Sequence, residues 1–378
     1  MDKRVSEGLT LGMTAPLLRI LEDHVSRGTA PGIIGVSGSR EGDLEIVAAG
    51  DLSVDAIVRI QSMTKPVLAA ATLRLVEQGR LGLDDPVERW LPELADRQVL
   101  RTPDANLDET HAARNLITVR NLLTNTSGYG MMTAPCPLQE AMVANRTEAG
   151  PEPVALGADG WLAALSELPL AFDPGTGWRY HHSFGILGIL LSRLVGGPLQ
   201  DHLREDLFLP LGMRDTGYSV PVDQAHRLPA AYRHGEGGEL MEVEPAAGGF
   251  SVAPPPFDVS HSELVSTAAD YAAFAGMLAN GGRHRGEVVL GPAILAQLRS
   301  DQVPAAAKTA DSFFPGFWDG TGWGCGVAIH TAGEYAGRYG WSGGLGTDFF
   351  VDPDGSFQII LTQVQMGSEI MRLFDDAR

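Results

Sequence analysis

The chain has two cysteines, Cys136 and Cys325, in 378 residues. That excludes a disulfide framework, and their spacing excludes a cysteine-held metal. Lysine is almost as scarce, with only Lys3, Lys65 and Lys308, and 28 basic residues stand against 47 acidic ones. The net charge of −19 repels nucleic acid and anionic membrane surfaces, so neither is expected as a partner. No apolar run reaches the roughly 20 residues of a membrane span. No apolar stretch follows the charged opening Met1-Asp2-Lys3-Arg4, so a soluble, cytoplasmic protein is expected. The ten histidines form no H-E-x-x-H, and no G-x-G-x-x-G opens a helix after a strand. No metal or other cofactor is expected.

What is present is enough apolar residue, 44%, for a large core. Helical spacing covers residues 14–28, and strand-like runs at Gly32–Ser37 and Leu44–Ala49 flank the turn signal Arg40-Glu41-Gly42-Asp43. A helical pattern runs from Ser62 to Gln78. Further helices are expected at 118–123, 158–167 and 184–194, at 207–213, and at 263–280 with Thr267 as N-cap. Short strands follow at Gly324–Ile329, Ala336–Gly340, Thr347–Asp352 and Gln358–Thr362, then a last helix at 369–374. Sheet segments at both ends predict an α/β (α+β) fold with one antiparallel sheet flanked by helices. Residues 1–84 and 201–378 would form a discontinuous sheet domain and residues 85–200 an inserted helical lobe. The site would lie in the cleft between them.

One stretch organises the rest: Ile60-Gln61-Ser62-Met63-Thr64-Lys65-Pro66, leading into an alanine-rich helical pattern. Residues three apart share a helix face, so the Ser62 hydroxyl and the Lys65 amine can meet without a distant segment. Pro66 is tolerated only in a first turn, which pins Ser62 to the helix start. A serine at that position, next to an amine made neutral by burial, is the setting of an activated nucleophile. Tyr180, in Tyr180-His181-His182, is a phenol able to share a proton with such a lysine. Trp341-Ser342-Gly343-Gly344 offers glycines on a strand, where an exposed N–H, with that of Ser62, would form an oxyanion hole. Gly340-Trp341-Ser342-Gly343-Gly344 also matches the G-x-S-x-G elbow. That motif needs a following helix and a later histidine; a strand follows here and no histidine does, so Ser342 is rejected as nucleophile.

With these residues together the sequence resembles the serine β-lactamase/penicillin-binding-protein-like superfamily, with its strongest likeness to the class C β-lactamase-like family VIII carboxylesterases. Ser62-Met63-Thr64-Lys65-Pro66 matches the nucleophile motif. Leu122-Leu123-Thr124-Asn125-Thr126-Ser127-Gly128 is similar to the usual L-L-T-H-T-S-G, with Asn125 in place of histidine. Pro174–Tyr180 matches the approach to the catalytic tyrosine, Leu264–Asp270 a later helix start, and Gly322-Trp323-Gly324 the first C-terminal strand. Trp341-Ser342-Gly343 falls where lactamases carry Lys-Thr-Gly. The resemblance implies catalytic Ser62, Lys65 and Tyr180, oxyanion N–H groups of Ser62 and Gly344, and substrate contacts at His182, Trp341 and Gly343. The run Phe313–Trp318, with Phe314 and Trp318, would rim an acyl or aryl group. Trp341 cannot hold a carboxylate by charge, and His182 does so only when protonated. An esterase acting on small neutral esters through an acyl-enzyme is therefore implied. A D-amino-acid amidase or peptidase, an acyltransferase, a weak β-lactamase and a non-catalytic scaffold are the alternatives.

Overall fold

A computed structural model describes residues 14–150, 154–258, 261 and 263–378. The N-terminal hairpin, β1 (Gly32–Ser39) and β2 (Leu44–Gly50), joins a C-terminal meander in one sheet. The meander is β3 (Thr321–Trp323), β4 (Ala328–His330), β5 (Tyr339–Gly343), β6 (Thr347–Val351) and β7 (Ser356–Leu361). The order is β3-β4-β5-β6-β7-β1-β2 and every neighbouring pair is antiparallel. The two chain ends meet where β1 pairs β7, with Ile34 opposite Leu361 and Val36 opposite Ile359.

Strand alternation sends side chains to both faces, and both are covered. Ile33, Ala49 and Ile360 pack with Leu17 and Leu21 of α1 (Thr14–Ser26) and with Ile370, Leu373 and Phe374 of the C-terminal helix Ser368–Ala377. Ile34, Val36, Phe349, Ile359 and Leu361 face the main core, with α2 (Thr64–Glu77), α3 (His182–Val195) and α4 (Ala268–Ala279). In α2, Lys65, Val67, Leu68, Ala69, Ala70, Ala71 and Leu73 are all fully enclosed, the pattern of a helix running through a core.

The structure moves several expected boundaries. Gly324–Ile329 is not one strand. Gly324 N–H bonds the Val327 carbonyl and Gly326 takes φ 73°, so residues 324–327 are the turn between β3 and β4, and only Ala328 and Ile329 lie in β4. Residues 263–267 are extended rather than helical, because Val265–Ser266 pairs with Val58–Arg59. Thr267 is the N-cap of α4, its hydroxyl accepting from Asp270 N–H at 3.2 Å. The strand expected at Ala336–Gly340 begins at Tyr339, after Gly333 and Gly337 turn the chain at positive φ. Among the described residues no single helix is long and apolar enough to cross a membrane.

Candidate active site

Ser62 sits in a single 3₁₀ turn, Gln61–Met63, that runs directly into α2. Gln61 has φ 50°, a left-handed conformation that costs a non-glycine residue on the order of 1 kcal/mol or more and persists only when its surroundings hold it. Here they do. Thr347 Oγ1 donates to the Ile60 carbonyl at 3.1 Å, and the buried Tyr271 hydroxyl of α4 donates to the Met63 carbonyl at 2.9 Å. Leu264 N–H donates to Thr64 Oγ1 at 3.1 Å. Gly343, at the end of β5, closes the back of the turn: a Cβ there would lie 2.3 Å from both the Ile60 oxygen and Thr347 Oγ1.

Lys65 is wholly enclosed, with Nζ 2.9 Å from Ser62 Oγ. The same nitrogen donates to the His261 carbonyl and stands 4.4 Å over the Tyr180 ring. Burial pushes its pKa well below the ordinary lysine value, which makes the neutral, proton-accepting amine accessible.

Tyr180 reaches the same hydroxyl from another part of the chain. Arg179 N–H bonds the Asn125 carbonyl at 3.0 Å, and Met131 N–H bonds the Tyr180 carbonyl at 3.0 Å. The Thr124–Gly128 loop therefore fixes the tyrosine's backbone. Its hydroxyl accepts from Trp341 Nε1–H at 2.6 Å and hydrogen-bonds Ser62. Burial raises the phenol's pKa, and these two bonds oppose the rise. Ser62, Lys65 and Tyr180 are thus brought together around one oxygen.

The other expected residues fall differently. Trp341 is half-buried, and its polar edge is committed to Tyr180. Gly344 is exposed just past β5, with its carbonyl accepting from Met366 N–H at 2.8 Å. Gly343, expected to touch substrate, is instead buried packing under the Ser62 turn. His182 is also corrected. It is 0% exposed, stacked on Trp161 at 6.2 Å, with Nε2 2.7 Å from the Thr147 carbonyl. Starting α3 turns that ring into the core, and burial lowers its pKa to about 4. Phe314 is exposed, while Trp318 packs edge-on against Trp178 at 5.1 Å and donates to Ser312 Oγ at 2.7 Å. The ring of that run set against Tyr180 is Phe313, at 5.1 Å. Ser342 Oγ donates to Asp348 Oδ1 at 2.6 Å, a cross-strand bond between β5 and β6.

Two histidines the sequence did not single out border the lysine. His181, at φ 94°, holds its ring 4.0 Å from that of His261. Burial first, then neighbouring charge that includes Lys65, keeps both well below the usual histidine pKa, so both are neutral at pH 7. Among the described residues no group of three or more His, Cys, Asp or Glu side chains is arranged to hold a metal ion. Tyr271, Thr347 and His261 carry no local motif. Each acts on the nucleophile through one bond made from far along the chain.

Residues 21–371 match the sequence model of the family described as Beta-lactamase. Protein Rv1367c of Mycobacterium tuberculosis is 36% identical over 332 residues, spanning 85% of this chain and 80% of its own length. Esterase EstB of Burkholderia gladioli is 29% identical over 330 residues, 81% of this chain and 77% of its own. The solved structure of EstCE1, described as a hydrolase with promiscuous acyltransferase activity, superposes with TM-score 0.78 at 24% identity, covering 96% of this chain and 97% of that one. Unliganded simvastatin synthase from Aspergillus terreus superposes at 0.75 with 20% identity, over 96% and 97% of the two chains. These two likenesses are of fold. On the family match across nearly its whole length, the chain belongs to the Beta-lactamase family of serine hydrolases.

Proposed function

We propose that the protein is a serine carboxylesterase that hydrolyses small or short-acyl esters through an acyl-enzyme on Ser62. The observation that carries this is one hydroxyl held 2.9 Å from a fully buried lysine amine and hydrogen-bonded to a buried phenol. Neutral Lys65 takes the Ser62 proton as Oγ attacks the ester carbonyl. The N–H groups of Ser62 and Gly344 receive the oxyanion. Tyr180, its oxygen already accepting from Trp341, passes its proton to the leaving alcohol and is reprotonated from Lys65. Water then attacks the acyl-enzyme with the same pair as base, and Ser62 regains its proton. The neutral indole of Trp341 in place of a lysine removes the charge that would hold a substrate carboxylate, and Esterase EstB among the relatives supports ester over lactam. In this reading Ser62 and Lys65 belong to a sheet domain of residues 1–84 and 201–378, and Tyr180 to a lobe of residues 85–200. The protein works in the cytoplasm on a small-molecule ester, without nucleic acid or membrane; the charge of −19 supports this.

A second reading, acyl transfer to an alcohol, is favoured by a cavity of about 1190 Å³ that Gln61 and Gly344 line. It exceeds the roughly 300–1,000 Å³ of ordinary ligand pockets and has room for an acceptor. The test is a panel of aryl ester, D-amino-acid amide and chromogenic cephalosporin, each with and without added alcohol, beside phosphonate labelling of Ser62. Ester turnover with a Ser62 adduct is expected. Amide or cephalosporin turnover exceeding ester turnover would overturn the assignment.

A further inference from the structure

The cavity beside Gly344 carries a feature the proposed reaction does not use. Its walls come from Gln61 and Gly344 at the nucleophile, from the hairpin Ala231–His234 and Leu240–Glu244, and from a proline-rich loop, Ala253-Pro254-Pro255-Pro256. Most of the lining is apolar, with the rings of Tyr218 and Phe250 among it. Among the described residues, the charged side chains that line it are Glu263, Glu244 and Arg233. Glu244 is matched: Arg59 Nε donates to it at 3.2 Å, and Arg59 is bonded besides to the Pro229 and Gly248 carbonyls. Arg233 is exposed on the hairpin, where water screens it. Glu263 is half-buried, and among the described residues its carboxylate has neither a hydrogen-bond nor an ion-pair partner. Partial withdrawal from water without a partner disfavours the carboxylate, and a cationic ligand would offset that cost.

We propose that this cavity is the subsite for a positively charged group, an ammonium or quaternary ammonium, carried by the ester substrate, with Glu263 as its counter-ion. The inference rests on the esterase reading of Ser62. Gln61, the residue before Ser62, and Gly344, the second oxyanion donor of that reading, line the same cavity as Glu263, which sets the cavity beside the position of a bound ester's carbonyl. The rings of Tyr218 and Phe250 add faces that attract a cation. Burial, with Glu244 nearby, pushes the Glu263 carboxyl up to about 7. An empty site is then partly protonated at neutral pH, and a bound cation draws it to the carboxylate. Recognition of the cation strengthens as pH rises through that value.

The experiment uses two matched pairs of esters and the full chain. Choline butyrate is compared with its neutral carbon isostere, and phenyl γ-trimethylammoniobutyrate with its own, so that charge sits on the alcohol in one pair and on the acyl group in the other. In at least one pair kcat/KM is expected to be about tenfold higher for the cationic member, the effect of a single ion pair in a partly dry site. That preference should grow between about pH 6 and pH 8. It should fall to near unity in Glu263→Gln, persist in Glu263→Asp, and persist in Glu334→Gln, which removes an exposed charge elsewhere. Equal rates within both pairs, or a preference that survives Glu263→Gln, overturns the proposal. Absence of turnover on every ester refutes the esterase reading instead, and the subsite is then read alone by calorimetry. Choline and γ-trimethylammoniobutyrate are titrated into the Ser62→Ala protein: binding that weakens about tenfold with added Glu263→Gln sustains the subsite, and no binding of either rejects it.

Discussion

The turn carrying Ser62 and Lys65 and the wall carrying Tyr180 and Trp341 face the same hydroxyl but are built in opposite ways. The first is local: helix geometry alone sets two side chains three residues apart on one face, and Pro66 marks where that helix begins. The second is assembled. Tyr180 is fixed by the Thr124–Gly128 loop, Trp341 arrives on β5, and Trp178, Phe313, Phe317 and Trp323 pack behind them. Damage to the local pair should therefore remove the chemistry while leaving the fold intact. Damage to the wall should weaken orientation and move proton affinities.

The sharpest break is Ser62→Ala, expected to lower kcat/KM for an aryl ester by about 10⁴-fold or more with an unchanged melting curve. Lys65→Arg comes next, at about 10³-fold, because a guanidinium stays charged and cannot accept the Ser62 proton. Lys65→Met should be equally inactive yet more stable. Between the depressed folded pKa of Lys65 and its unfolded value near 10.4, the unfolded chain binds one more proton than the native one, so stability rises with pH across that window. At pH 7 the buried lysine thus costs stability, and its removal should raise the Tm by about 2–4 °C, read by calorimetry. The same depressed pKa sets the acid limb of wild-type kcat/KM, where activity falls as the amine becomes protonated.

On the assembled side, Tyr180→Phe is expected to cost about 10²-fold in kcat with little change in KM, the loss of one positioned proton carrier. Trp341→Phe should cost about tenfold. It removes an N–H that stabilises the phenolate, so the Tyr180 pKa rises and the alkaline limb of the pH–rate profile moves upward. The smallest catalytic effect is expected from His182→Gln. A ring enclosed against Trp161 and the Thr147 carbonyl should leave KM unchanged while lowering the Tm. A large rise in KM would instead return that histidine to the substrate site.

Much of the sheet was legible because its strands are short, largely apolar runs that glycine or aspartate turns separate. Errors gathered where one residue type serves two purposes. Gly324–Ile329 reads as strand by composition, yet Gly326 supplies the left-handed turn between β3 and β4. Val265 and Ser266 continue a helical pattern, yet pairing with Val58 and Arg59 outweighs it. In the site, Gly343 and His182 were visible as residues of a motif, but whether a motif side chain faces a cleft or the interior depends on what packs behind it. Phe313 and Phe314 are adjacent and chemically identical, and only the loop's path decides which ring meets Tyr180.

Sequence by itself determined that the Ser62 hydroxyl and the Lys65 amine meet, since helix geometry needs nothing beyond the residues within one turn. It also determined that position 341 offers no charge to a substrate carboxylate, because an indole cannot become a cation in any fold. Only the tertiary structure decided that Lys65 is dry enough to lose its proton, that Trp341 is spent on Tyr180, and that Glu263 stands without a partner among the described residues in a cavity beside Gly344. Each of those depends on exclusion of water by distant segments, and desolvation has no signature in neighbouring residues along a chain.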